Sequence, residues 1–144
     1  MATSIFVNLP VADLDASKAF FEAIGFSINQ QFTDATASCV VIDATIYVML
    51  LTHEKFSQFT PKPIADAKAM SEVLLALSRD SREAVLDLFD KAIAAGATEA
   101  RPGQELGFMM SRAFADLDGH IWEIVWMDPA AVAGSRSRAL WSNF

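Results

Sequence analysis

The chain has 144 residues, with 11 Lys and Arg against 18 Asp and Glu, and a formal net charge of −7. That balance argues against a nucleic-acid partner, which needs basic surface to displace phosphate counterions. A hydrophobic share of 53% with eleven Phe excludes intrinsic disorder. No apolar run approaches the roughly 20 residues that span a bilayer, so no membrane partner is expected. The lone cysteine, Cys39, cannot form an intrachain disulfide and fits a reducing, cytoplasmic compartment.

Residues 4–11 (SIFVNLPV) alternate as a short strand, with Pro10 suited to its edge or end. A helix is predicted over 14–24, with Asp13 or Asp15 near its start and Gly25 as its stop. Strand-like runs follow at 26–32, 37–43 and 45–52. Residues 71–78 (SEVLLALS) read as the next strand. An amphipathic helix over 81–95 then carries Val85, Leu86, Phe89, Ala92 and Ile93 on one face, with Asp80 and Glu83 as a capping pair and Gly96 as the stop. Strands at 97–101, 107–115 and 120–127 end at the breaker Asp128-Pro129.

The order β-α-β-β-β therefore occurs twice, and the chain is read as α+β with tandem βαβββ modules. One domain over 1–129 is expected, with module one at 4–52, module two at 70–128 and a polar connector at 53–69 carrying Pro61 and Pro63. Residues 130–144 read as a C-terminal tail whose Trp141 and Phe144 either fray or dock.

Strand alternation sorts the chemistry-bearing residues into columns. Phe6 and Asn8 share one, as do Tyr47, Met49 and Leu51, and as do Glu72 and Leu74. Glu123, in the middle of HIWEIVW, must be paired, metal-bound, protonated or exposed, because an isolated buried charge is very costly. An ion pair with Arg112 is the plain structural reading, and a metal ligand or general base is the functional one. Arg112 alternates with Met110 and Phe108 and is suited either to neutralise an acid or to hold an anionic ligand. His120 reads as the first residue of the last strand, His53 as surface and Cys39 as a small core residue. No P-loop, GxGxxG, GxSxG, HExxH or CxxC pattern is present.

IFVNLPVADLDASKAFFEAIGF near the start and FADLDGHIWEIVWMDP near the end resemble the opening and closing motifs of the vicinal oxygen chelate superfamily. That superfamily includes glyoxalases, bleomycin-resistance proteins and extradiol dioxygenases. The resemblance implies a half-open curved barrel around a cleft, and commonly a homodimer. It places the family's metal-ligand positions at Phe6, Met49, Glu72 and Glu123, of which only the two acids can bind a hard cation. No metal is favoured on that set, and a divalent ion, if held, would fall to Glu72 and Glu123.

The cleft implied by the resemblance is lined by Phe6, Tyr47, Met49, Leu51, Leu74, Phe108 and Met110, with Asn8, Glu72, Arg112 and Glu123 as polar points. The leading expectation is binding of a small, partly apolar molecule by a glyoxalase- or bleomycin-resistance-like protein. The alternative is a metal-dependent lyase, isomerase or dioxygenase using Glu72 and Glu123, or metal-free acid–base catalysis by Glu123. Either use of the acids requires Glu72 and Glu123 to meet in one cleft, within about 4–6 Å.

Overall fold

The computed structural model describes residues 2–132. The readings for Trp141 and Phe144 lie outside the described residues. The chain begins with strand β1 (Ile5–Val11) and helix α1 (Leu14–Ala23). Asp13 starts α1: its backbone is extended and its carboxylate accepts the Ala16 N–H at 3.0 Å, satisfying one of the helix's orphan donors. Gly25 ends it at φ +108°, a conformation that costs glycine nothing and an L side chain much.

Strands β2 (Ser27–Asn29), β3 (Ala37–Asp43) and β4 (Ile46–Thr52) complete the first unit. The strand predicted over 26–32 pairs only as far as Asn29. There the Asn29 side chain accepts the Gln31 N–H and turns residues 30–32 into a 3-10 helix. The connector is not wholly irregular: helix α2 (His53–Ser57) starts directly after β4, capped by the Thr52 hydroxyl.

The second unit comprises β5 (Leu74–Ser78), α3 (Arg82–Ala94), β6 (Thr98–Leu106), β7 (Met109–Ala115) and β8 (Ile121–Met127), followed by the short helix α4 (Pro129–Val132). Three local expectations are corrected. The cap of α3 is Ser81, whose hydroxyl accepts the Ala84 N–H, not Asp80. Its buried face uses Leu88 with Val85, Phe89 and Ala92, while Ile93 is exposed. Strand β5 starts at Leu74 rather than residue 71, because its partner among the described residues, β8, starts at Ile121.

Each unit forms a four-stranded mixed sheet, in the orders β1-β4-β3-β2 and β5-β8-β7-β6. The first strand of each unit runs parallel to the last, and the other pairs are antiparallel. The α+β fold is thus the repeated βαβββ plan with two curved sheets that do not close into one barrel.

The core lies on the helix side of both sheets and is shared between the units. Phe21 of α1 meets Trp122 of β8 edge-on at 5.5 Å between ring centroids, and Phe20 meets Phe114 of β7 at 6.1 Å. Phe21, Phe114 and Trp122 are almost fully buried. Aromatic groups of this size dominate core energetics, so neither unit would keep its core without the other.

Candidate functional site

The face of each sheet turned away from the helices carries most of the candidate residues. On the first sheet, register sets Phe6 beside Tyr47, Asn8 beside Met49, and Pro10 beside Leu51. The Phe6 and Tyr47 rings stack at 4.7 Å and 12°, and Phe6 remains 52% exposed. The Tyr47 hydroxyl is already committed, donating to the Ala44 carbonyl. Asn8 is exposed and Met49 half-buried, whereas Leu51 is buried. Cys39, beside Met49 on β3, is buried too, and burial pushes its thiol above the usual range.

On the second sheet the open face reads in rows across β6, β7, β8 and β5. One row is Thr98, Ala115, Ile121 and Leu74; the next is Arg101, Ala113, Glu123 and Ala76; the third is Gln104, Ser111, Val125 and Ser78. Glu123 is half-buried and its carboxylate lies 3.2 Å from the Arg101 guanidinium. Leu74 is exposed.

Two predicted members point elsewhere. Arg112 and Met110 stand beside Ile124 and Trp126, on the core side of the sheet. Arg112 lies over the Phe89 ring of α3 at 4.1 Å and pairs with Glu99, so the ion-pair partner of Glu123 is Arg101 and not Arg112. The cause is parity: Arg112 is an odd step from Ala113, the residue that actually adjoins Glu123. Phe108 sits half-buried in the turn between β6 and β7, where its carbonyl accepts the Asp128 N–H.

Glu72 is exposed and precedes β5, so it belongs to no row. Glu123 pairs with Ala76, four residues further on, which is roughly 13 Å of strand. The two acids are therefore not brought together. The register also reassigns the repeat: Asn8 adjoins Met49 as Ala76 adjoins Glu123, so Phe6 corresponds to Leu74 rather than to Glu72. Glu72 instead borders a cavity of about 440 Å³ between the edge of β1 and the connector, with Asn8, Phe56, Ile64, Val73 and His120. An adjoining cavity of about 410 Å³ shares Asn8 and Phe56 and adds Leu51 and Phe59.

The Asp116-Leu117-Asp118-Gly119-His120 turn, read in sequence only as turn chemistry, ties the two units together. Asp116 organises it internally: one carboxylate oxygen accepts the N–H groups of Asp118 and His120, and the other accepts Trp122 Nε1–H at 3.0 Å. Burial pushes the Asp116 carboxyl above the ordinary carboxylate range, against the opposing pull of His120 and of those N–H donors. Asp118 reaches the first unit, accepting from Ala12 N–H at 2.8 Å and Ser17 Oγ–H at 3.2 Å. His120 Nε2 lies 2.8 Å from the Pro10 carbonyl oxygen. The signal that could have revealed these roles is the richness of the turn in side chains able to bond over a distance.

The ligand positions that the sequence resemblance implies fall, once the register replaces Glu72 by Leu74, at Phe6, Met49, Leu74 and Glu123. Three lack a hard donor, and the fourth is neutralised by Arg101. This set does not fit a divalent ion, which needs three or more protein ligands for a tight site. Among the described residues, no cluster of three or more His, Cys, Asp or Glu side chains is arranged to hold one. No described helix is long and apolar enough to cross a membrane.

Residues 3–43 match the bleomycin resistance protein-like N-terminal family. No curated protein matches the chain in sequence. Among solved structures, a hypothetical protein from S. aureus is similar at 26% identity and TM-score 0.74, covering 88% of this chain and 94% of that one. A glyoxalase/bleomycin resistance protein/dioxygenase family enzyme from Burkholderia phytofirmans is similar at 22% identity and TM-score 0.70, covering 88% and 99%. A bleomycin resistance determinant encoded on the transposon Tn5 is similar at 19% identity and TM-score 0.60, covering 88% and 98%. The chain thus shares the fold of solved proteins described as glyoxalase/bleomycin resistance protein/dioxygenase, and its residues 3–43 match the bleomycin resistance protein-like N-terminal family.

Proposed function

We propose that the chain binds a small, partly apolar molecule on the open faces of its sheets, without a resident metal ion. The observation that carries this reading is the replacement of three ligand positions by Phe6, Met49 and Leu74, with the Phe6 ring exposed and stacked on Tyr47. An exposed aromatic pair offers a flat apolar contact, with Asn8 as a hydrogen-bonding point beside it. A second copy of the chain is the expected partner: Ile5, Phe6, Val73 and Leu74 are large apolar groups left exposed at or beside the edge strands β1 and β5. A cytoplasmic setting suits the unpaired Cys39 thiol.

The test combines elemental analysis of the purified protein with a fragment screen by protein NMR. Aromatic fragments are expected to shift resonances at Phe6, Asn8 and Tyr47, and Phe6→Ala to abolish those shifts. A stoichiometric divalent ion that is retained by the native chain and released by Glu123→Gln would overturn the reading in favour of a metal enzyme.

A further inference from the structure

Strand β6 is distorted twice within six residues, and both distortions flank Arg101. Register shifts fall between Glu99 and Arg101 and again between Arg101 and Gln104. In a regular strand Glu99 and Arg101 would share a face. The first shift sets Glu99 beside Phe114, on the core side, and Arg101 beside Ala113, on the open side. The second takes up Pro102 and Gly103, where a Cβ at residue 103 would lie 2.6 Å from Arg112 Cδ and 3.3 Å from the Ser111 carbonyl oxygen. Bulges re-aim side chains in this way and are enriched beside functional sites.

What they deliver is a guanidinium with capacity to spare. Its contact with Glu123 is a single approach of 3.2 Å, and among the described residues it makes no other ion pair and no side-chain hydrogen bond. The Arg101 side chain is 37% exposed and that of Glu123 only 17%, so the cation is the more accessible partner. Ala76, in the same row, is exposed, while Ala113, between Arg101 and Glu123, is fully buried; Ile121, Leu74 and Val125 are the apolar residues of the adjoining rows. The Ser111 hydroxyl, in the next row, is buried without a partner.

The geometry points to Arg101 as the anchor for the carboxylate of a small apolar acid on the open face of the second sheet. Arginine presents a planar fork of donors that matches a carboxylate, and one weakly placed acceptor leaves most of that fork unused. Glu123 holds the guanidinium in position and competes with the incoming anion. The inference rests on the binding reading above and narrows its ligand class to carboxylic acids.

The experiment titrates native protein with benzoate, benzamide and benzylamine, three probes of one size and different charge, following backbone amides of residues 76, 101, 113 and 123 by NMR. Benzoate is expected to bind most tightly, and Arg101→Ala to weaken it by about tenfold or more, the loss of one charge-assisted hydrogen bond. Arg101→Lys should retain part of the affinity. Glu123→Gln should strengthen benzoate by roughly threefold by removing a partly exposed competitor. Amide dispersion and thermal melts establish that each variant is folded.

The inference is overturned if Arg101→Ala leaves benzoate affinity unchanged, if benzamide or benzylamine binds better, or if Glu123→Gln weakens benzoate. Fragments that shift Phe6 and Tyr47 but respond to no Arg101 substitution sink this inference alone. Absence of any probe-induced shift on either open face sinks the binding reading with it.

Discussion

The imidazole Nε2 of His120 lies 2.8 Å from the carbonyl oxygen of Pro10, 110 residues earlier in the chain. A carbonyl only accepts, so Nε2 carries the proton. With Asp118, which accepts from Ala12 N–H and Ser17 Oγ–H, this turn of the second unit closes on the end of β1 and the start of α1. The same His120 ring lines the cavity bordered by Asn8 and Glu72, so the clamp also shapes that cavity's wall.

Asp118→Ala removes both carboxylate contacts and leaves the largely buried Ser17 hydroxyl without its acceptor. Stability should fall by about 1–3 kcal/mol. Urea denaturation measures it, and an unchanged midpoint at unchanged slope would show that the turn does not hold the units together.

Asp116 gives a pH dependence whose sign follows from its raised pKa. Between the ordinary carboxylate range and the raised value, the folded chain binds a proton that the unfolded chain has released. Its contribution to stability is therefore full at low pH and falls as pH rises through that window. The stability advantage of native protein over Asp116→Asn should be largest at low pH and narrow on raising it. Paired denaturation curves at several pH values test this, and an advantage that widens with pH contradicts it.

Gly103→Ala places a methyl group against Arg112, which cannot simply swing aside while it lies on Phe89 and pairs with Glu99. A loss of about 1–3 kcal/mol is expected from overpacking. Because Gly103 belongs to the second bulge beside Arg101, amide shifts at residues 101 and 113 should move with it. A stable variant with an unperturbed β6 would show that the bulge tolerates a side chain.

The register also predicts where metal affinity can be installed. Phe6→His, Met49→Glu and Leu74→His, combined with Arg101→Ala to release Glu123, should confer zinc uptake measurable by equilibrium dialysis. The same set without Leu74→His, relying on native Glu72, should take up far less. Equal uptake by both would show that Glu72, and not Leu74, occupies the ligand position.

The repeated plan was legible because hydrophobic period and punctuation are local properties. Asp13 and Gly25 bracket α1 as expected, and seven of the strands lie within or overlap the predicted runs with little displacement. The exception in detail is β6, whose continuation through Pro102-Gly103 to Leu106 no alternation rule foresees, because a bulge resets parity by an amount the sequence does not print. Site membership suffered from the same cause. Neighbouring-strand logic alone pairs Arg112 with Glu123, yet cross-strand register sends Arg112 to the opposite face.

The sequence by itself determined an acidic, single-cysteine, richly apolar chain built from two βαβββ units, with the apolar residues Phe6 and Met49 at positions where the family resemblance implies metal ligands. Only the tertiary structure decided that Leu74 stands where Glu72 was expected, that Arg101 neutralises Glu123, and that Asp118 and His120 join the units. Composition and periodicity fix what each segment can bury. Which side chains meet depends on strand register and on contacts between residues more than a hundred positions apart, and these exist only once the core shared by Phe21 and Trp122 has formed.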